Sequence, residues 1–177
     1  MFELENERTE LLKKIEDDLE RKQYAHLRDL LLPLEAADIA ALCEEMDDKV
    51  PLMFRLLPKE LAAEVFVELD SDEQEILIRS FSNTELKEVL DELYLDDTVD
   101  IVEEMPAIVV KRILQHSDPD TRKSINEILK YPDDSAGSIM TTEFVDLKET
   151  MTVEDALKRI RRTGPDKETI NICYVID

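Results

Sequence analysis

Large apolar residues recur every twelve positions through the middle of the chain. They are Leu57, Leu69, Phe81, Leu93 and Met105, and each ends a stretch with apolar residues at helical spacing. A period of this length gives one short helix and one tight turn. Helices so short are marginal in water by themselves, so each must bury its apolar stripe against its neighbours. The pattern therefore predicts stacked short helices, as in a solenoid or a superhelical bundle.

The predicted helix starts carry residues that commonly begin helices. They are Pro58, Ser71-Asp72, Ser82-Asn83, Pro106 and Ser117-Asp118-Pro119. Serine and aspartate at such positions accept hydrogen bonds from first-turn amides. Before the repeat, the pattern predicts one helix from Phe2 to about Arg21 and a second from Tyr24 to Leu32, ending at Pro33. The first 136 residues contain no glycine, which disfavours an all-β fold with tight hairpins.

The pattern changes after Tyr131-Pro132. A short β-like run from Phe144 to Leu147 precedes an amphipathic helix from Thr152 to about Arg162, with Thr152 as its N-cap. The predicted inner face of this helix consists of Val153, Ala156, Leu157 and Ile160. A strand from Ile170 to Ile176 follows a Gly-Pro turn. One strand, helix and strand cannot close a core, so we interpret the sequence as part of a longer protein.

These elements predict a mainly α fold. Residues 1–131 are predicted to form a helical-repeat domain, and residues 132–177 a linker and an incomplete β-α-β segment. No stretch approaches the roughly 20 apolar residues of a membrane span. The cysteines Cys43 and Cys173 lie far apart without a C-x-x-C motif, which is typical of a reducing, cytosolic compartment.

Acidic residues outnumber basic ones, 44 to 22, and the formal net charge is -22. Because phosphate contacts require lysine and arginine, this charge excludes nucleic acid as the main partner. It also disfavours an anionic membrane surface. The charge is compatible with cationic partners and with divalent metal ions.

The sequence contains no catalytic motif, and we predict that the chain is not an enzyme. Ser138 has no plausible base near it in the sequence, and His26 and His116 each lie alone in a helical context. No glycine-rich phosphate loop is present. The run from Asp133 to Gly137 lacks the ligand spacing of an EF-hand calcium loop.

The most acidic stretch is a helix predicted from Asp96 to Met105. At helical spacing, one side carries Asp96, Asp97, Asp100, Glu103 and Glu104, and the other carries Leu95, Ile101, Val102 and Met105. No lysine or arginine lies between Lys87 and Lys111. Like charges at i,i+4 destabilise a helix by about 0.2–0.5 kcal/mol per pair.

Two interpretations of the acidic helix faces remain open from the residues alone. The faces are either solvated or bind a hard cation such as Mg²⁺, weakly and through its water shell. When the repeats are aligned on their closing apolar residue, Glu64, Glu88 and Asp100 occupy the same register position. Successive helices could therefore present acids along one surface.

Three segments together resemble the cytosolic region of MgtE-type magnesium transporters. They are LLPKELAAEV, LDELYLDDTVD and YPDDSAGSIMTTEFVDLKETMTVEDALKRIRR. The resemblance covers essentially the whole chain. It implies that residues up to about Tyr131 form the family's N domain, a right-handed superhelix of short helices related to armadillo-like repeats. It also implies that residues from about Asp134 begin the first cystathionine-β-synthase (CBS) motif.

The resemblance implies a magnesium-sensing regulatory region on the cytosolic side of a membrane transporter. In the family, Mg²⁺ ions bridge the N domain to the CBS domain and close a homodimeric pore, and repulsion between acids opens the assembly when Mg²⁺ is scarce. Glu64, Asp96 and Asp100 match the family's metal-binding acids, and Asp97 and Glu103 are added as neighbours.

The resemblance also defines the expected partners. These are magnesium, the rest of the CBS domain, the transmembrane domain and a second copy of the protein. No further cofactor is predicted, because Ile172 stands where an aromatic residue would stack on adenine. The alternative hypothesis is an acidic helical-repeat module that docks a basic protein partner.

Overall fold

The computed structural model describes residues 2–46, 49–132, 135–167 and 170–176. Asp133 and Asp134, which belong to the segment that resembles the transporter family, lie outside the described residues. The helices are α1 (Phe2–Glu20), α2 (Tyr24–Leu31), α3 (Ala36–Cys43), α4 (Val50–Phe54), α5 (Lys59–Glu68), α6 (Ser71–Ser80), α7 (Asn83–Leu90), α8 (Leu95–Glu104), α9 (Ala107–His116), α10 (Pro119–Ile128) and α11 (Val153–Thr163). Two short strands, β1 (Val145–Lys148) and β2 (Cys173–Ile176), flank α11.

The predicted twelve-residue repeat is confirmed by the positions at which the helices begin. Helices α5 to α10 begin at residues 59, 71, 83, 95, 107 and 119. The periodic residues Leu69, Phe81 and Met105 each come directly after a helix ends and are buried. Leu57 and Leu93 are only half-buried, so three of the five periodic residues anchor the core.

The turn residues cap the helices largely as predicted. Ser82 forms a capping box with Glu85 at the start of α7, and the Asp118 side chain accepts hydrogen bonds from two amides at the start of α10. At α6 the cap is Asp70 rather than Ser71, because Asp70 has the extended backbone of an N-cap and Ser71 is already helical. The Asp70 carboxylate accepts a hydrogen bond from the Glu73 amide at 2.9 Å.

The first of two compact units contains the described residues of 1–93 and 105–116. Its centre is an aromatic cluster in which the Phe54 ring lies 6.1 Å from the Phe66 ring and 5.5 Å from the Phe81 ring, between centroids. Arg112 on α9 donates hydrogen bonds to the carbonyls of Ile78 and Phe81, where α6 ends. These carbonyls have no partner within their own helix, so the contact fastens α9 to α6.

The thiol of Cys43 lies in the core of this unit. Burial raises its pKa to about 12, and the nearby carboxylates of Glu73 and Glu44 act in the same direction. Since the thiolate is the reactive form, Cys43 is expected to be inert in the folded protein.

We expect a thiol reagent such as Ellman's reagent, at mildly alkaline pH, to modify Cys173 and spare Cys43 until the chain is unfolded. The substitution Cys43→Ser should leave the native reaction unchanged, whereas Cys173→Ser should abolish it. Rapid labelling of Cys43 in the native state would contradict this burial.

The second unit contains the described residues of 94–104 and 117–177. In it α8 packs against α10, and α11 packs against β1. The strands β1 and β2 are parallel, with Val145 opposite Cys173. Arg159 on α11 donates a hydrogen bond to the Asp146 carbonyl at 2.7 Å and pairs with the Asp146 carboxylate, which lowers the pKa of that carboxyl group. The predicted fold class, mainly helical with a β-α-β segment, is confirmed.

Three details of the β-α-β prediction were wrong. Strand β1 begins at Val145 rather than Phe144. Strand β2 begins at Cys173, where its pairing with β1 starts, rather than at Ile170. The predicted inner face of α11 is not buried, since Val153 is 79% and Leu157 46% exposed. In the described part of this unit, only two four-residue strands are available to cover that face.

The two compact units alternate along the sequence, because α8 belongs with residues that follow position 116. The boundary predicted between residues 131 and 132 stays a prediction of domain organisation. Among the described residues, no helix is both long and apolar enough to cross a membrane.

Candidate functional site

The acidic helix predicted from the sequence is α8, in the second unit. Its predicted apolar residues Leu95, Ile101 and Val102 are buried, as is Met105 just beyond the helix. Val99, which the prediction did not include, is buried as well. The Thr98 hydroxyl also faces inward and donates a hydrogen bond to the Tyr94 carbonyl at 3.0 Å. Packing of this face against α10 fixes which side of α8 remains at the surface.

The acidic side of α8 varies in exposure along its length. Asp96 and Asp97 in the first turn are half-buried, whereas Asp100, Glu103 and Glu104 are exposed. Acids in the first turn are stabilised by the helix dipole, but acids in the last turn are opposed by it. The last turn of α8 contains Glu103 and Glu104 and no basic residue. The exposed end of this helix is therefore electrostatically unfavourable.

The exposed acids of α8 receive no compensation from nearby basic side chains. In the part of the chain that the structure describes, no lysine, arginine or histidine forms an ion pair with Asp100 or Glu103. The end of α7 behaves differently, since Lys87 pairs at 2.7 Å with Asp91, the C-cap residue of that helix. The α8 face thus keeps its charge.

Glu64, the other predicted ligand, lies on α5 in the first unit. It is exposed together with Glu60 and Glu68, while Val65 and Phe66 on the opposite side of α5 are buried. The structure thus brings Asp96, Asp97, Asp100 and Glu103 together on one helix, and places Glu64 in the other unit.

No preformed metal cage is present among the described residues, in the sense that no three histidine, cysteine, aspartate or glutamate side chains converge to hold an ion. The donors that are available are carboxylates, which suit a hard cation. Magnesium gives up its water shell reluctantly and often binds through one or two carboxylates. The exposed acids of α8 fit such water-mediated binding better than full enclosure.

Two acids of α7 serve another role, and one of them, Glu88, shares the register position of Glu64 and Asp100. Glu88 pairs with Lys59 of α5 at 3.0 Å, and Glu85 pairs with Arg55 at 2.6 Å. Hydrogen bonds from Arg55 and from the Ser82 amide lower the pKa of Glu85 to about 2. These two ion pairs border a cavity of about 300 Å³ whose apolar lining is Phe54, Leu57, Ala62, Phe81 and Val89. The common acidic surface suggested by the repeat alignment therefore excludes Glu88.

One residue at the acidic helix was missed by sequence reasoning. The Glu143 carboxylate accepts a hydrogen bond from the Leu95 amide, the first amide of α8, at 2.8 Å. The two residues are 48 positions apart. No local pattern links Glu143 to α8, so only the folded structure could reveal the contact.

Comparison with protein families gives a match over most of the helical repeat. The family model described as the MgtE intracellular N domain matches residues 34–134. The chain is 35% identical over 168 residues to the magnesium transporter MgtE of Thermus thermophilus, and 25% identical over 151 residues to that of Bacillus subtilis. It spans 37% and 34% of the lengths of these two relatives.

Two solved structures are similar over nearly the whole chain. The cytosolic domain of the Mg²⁺ channel MgtE, solved in complex with ATP, gives a TM-score of 0.85 at 34% identity, covering 94% of this chain and 68% of that one. The soluble part of a magnesium transporter gives a TM-score of 0.79 at 25% identity, covering 96% of this chain and 68% of that one. The arrangement of short helices followed by a β-α-β segment is therefore shared with both.

Proposed function

The chain belongs to the MgtE family of magnesium transporters, and we propose that it is a magnesium-sensing regulatory region of such a transporter. In this proposal it lies on the cytosolic side of the membrane and catalyses no reaction. Bound Mg²⁺ links its acids to a CBS domain and closes the pore. The partners are the remaining CBS sequence, a transmembrane domain and a second copy of the protein.

The observation that carries the proposal is the pair of exposed acids Asp100 and Glu103 on α8, which no basic side chain compensates among the described residues. Asp100 lies one turn from Asp96, Asp97, Glu103 and Glu104, so several like-charge pairs meet at this residue. Neither Asp100 nor Glu103 has a basic partner among the described residues. A divalent cation would convert this net repulsion into attraction.

The expected electrostatic energies favour a sensor that responds to the concentration of Mg²⁺. Two unit charges 4 Å apart interact by about 1 kcal/mol in water and about 4 kcal/mol near a protein surface. Such energies are large enough to shift a conformational equilibrium, provided that the ion binds one state more tightly than the other. They are too small for permanent metal binding at an open site, so binding to this chain alone should be weak.

We propose Glu64, Asp96 and Asp100 as the principal magnesium ligands, with Asp97 and Glu103 contributing. Glu64 supplies its carboxylate from α5 and the other four supply theirs from α8. These residues provide only part of a coordination shell, and the rest comes from water and from CBS residues. ATP is not included in the proposal, because the exposed Ile172 offers no aromatic face for adenine.

Titration with Mg²⁺, followed through backbone amide shifts, tests this function. We expect shifts concentrated on α8 and around Glu64, and absent when NaCl is added to the same ionic strength. Screening alone affects all exposed acids, whereas ligation is local. An absence of any localised response up to tens of millimolar Mg²⁺ would contradict sensing and favour the docking of a basic protein instead.

A further inference from the structure

Helix α8 lacks the local polar N-cap residue that four other helices have. Helices α6, α7, α10 and α11 each use a local aspartate, serine or threonine as N-cap: Asp70, Ser82, Asp118 and Thr152. Before α8 the corresponding position is Tyr94, whose ring is not a preferred cap. A carboxylate from a distant part of the chain, that of Glu143, takes the Leu95 amide instead.

The segment that carries Glu143 is itself held in place. The Glu143 amide donates a hydrogen bond to the Thr141 hydroxyl at 3.1 Å, and Glu143 lies two residues before β1. Glu143 is only partly exposed. Its carboxylate therefore ties the acidic helix to the entrance of the β-α-β segment within one compact unit.

We propose that Glu143 is a positioning residue for the acidic helix, and that a divalent cation on α8 strengthens its hydrogen bond to Leu95. This inference rests on the proposed function, because it describes how magnesium binding at α8 is linked to the β-α-β segment. Glu143 is not itself assigned as a ligand.

The electrostatic reason lies in the first turn of α8. The Glu143 carboxylate meets the turn that already carries Asp96 and Asp97, so three negative groups share about 5.4 Å of helix. The helix dipole favours a carboxylate there, but the two aspartates oppose it. A cation that binds those aspartates removes their repulsion and leaves the attraction between the Glu143 carboxylate and the helix dipole. The hydrogen bond between Glu143 and Leu95 then becomes stronger, and by reciprocity this hydrogen bond favours cation binding.

The rate of hydrogen exchange at the Leu95 amide measures the strength of its hydrogen bond to Glu143 directly. In the wild-type chain we expect its protection to rise with Mg²⁺ and to remain constant when NaCl gives the same ionic strength. Loss of an N-cap side chain costs about 1 kcal/mol, equivalent to about fivefold in an equilibrium constant. The substitution Glu143→Ala should therefore lower Leu95 protection about fivefold and weaken the Mg²⁺ response of α8.

The variant Glu143→Gln separates positioning from general structural support. Glutamine keeps an oxygen that can accept from the Leu95 amide but carries no charge. We expect it to restore most of the protection lost in Glu143→Ala, yet to make that protection independent of Mg²⁺. The matched control is Glu149→Ala, which removes an exposed acid of the same unit and should behave as wild type.

The outcomes distinguish this inference from the proposed function. If Mg²⁺ shifts the amides around Asp100 and Glu103 but leaves Leu95 protection unchanged in the wild type, this inference alone is overturned. The same holds if Glu143→Ala keeps wild-type protection at Leu95. If no amide of α8 responds to Mg²⁺ at all, the proposed function is overturned and the cation-dependent part of this inference with it.

Discussion

Replacing Phe66 by alanine is expected to reduce the free energy of unfolding of the first unit by about 3–5 kcal/mol. Phe66 is only 1% exposed and makes an edge-on contact with Phe54. Its backbone carbonyl also accepts a hydrogen bond from the buried Gln74 side chain at 2.9 Å. Truncation leaves a cavity where α4, α5 and α6 meet. Urea unfolding followed by circular dichroism measures the loss.

The matched control for Phe66→Ala lies at the next position of the same helix. Val67 is 37% exposed, so Val67→Ala removes little buried area and should cost well under about 1 kcal/mol. A loss below about 1 kcal/mol for Phe66→Ala would show that the aromatic cluster is not the core of this unit.

Neutralising the acidic side of α8 is expected to stabilise the protein without magnesium and to abolish its response to magnesium. In the triple variant Asp97→Asn, Asp100→Asn, Glu103→Gln, several i,i+3 and i,i+4 repulsions disappear, each worth about 0.2–0.5 kcal/mol. Removal of Glu103 from the last turn adds about 0.3–1 kcal/mol, which offsets a loss of similar size when Asp97 is neutralised in the first turn. At low ionic strength the variant should gain about 1–2 kcal/mol in total.

In excess Mg²⁺ the order of stability should reverse or the difference disappear. A ligand present at 100 times its dissociation constant stabilises the folded state by about 2.7 kcal/mol, and the triple variant lacks three of the five proposed ligands, including Asp100. Thermal unfolding with and without Mg²⁺ measures both effects. The control Glu127→Gln changes an acid on α10 that faces Lys123, and should keep the wild-type Mg²⁺ response. An equal Mg²⁺ response in the triple variant would contradict the assignment of these acids.

The sequence was sufficient to predict the helical repeat, because the repeat is a local property. Most repeats carry their own turn residues, and Leu69 and Phe81 each lie two residues before the helix starts at residues 71 and 83. The amphipathic character of α8 is local in the same sense, since Ile101 and Asp100 follow from helical spacing alone.

Features that depend on distant residues could not be predicted in this way. Glu85 and Glu88 looked equivalent to the other acids, yet each is neutralised by a basic residue about 30 positions away in the chain, Arg55 and Lys59. The contact between Glu143 and Leu95 spans a still longer separation. The exposure of Val153 reflects how little sheet is available to α11 among the described residues. Each of these outcomes is decided by tertiary packing.

The contrast between α7 and α8 explains why the acidic faces differ in their expected role. On α7, cross-helix ion pairs make the carboxylates part of the structure, and the lowered pKa of Glu85 reflects that stabilisation. On α8, Asp100 and Glu103 have no such partners among the described residues and remain available to a mobile cation. In the proposed function, uncompensated charge rather than charge alone therefore distinguishes the magnesium-binding face.

The most direct test of magnesium binding at α8 is to locate the ion with a paramagnetic substitute. Manganese accepts the same oxygen ligands as magnesium and broadens the amide signals of nearby residues. With substoichiometric Mn²⁺, we predict selective broadening of the amides from Asp96 to Glu103 and around Glu64, and their recovery when excess Mg²⁺ displaces the Mn²⁺. Broadening spread evenly over all exposed acidic helices, including α10 around Glu127, would contradict the account.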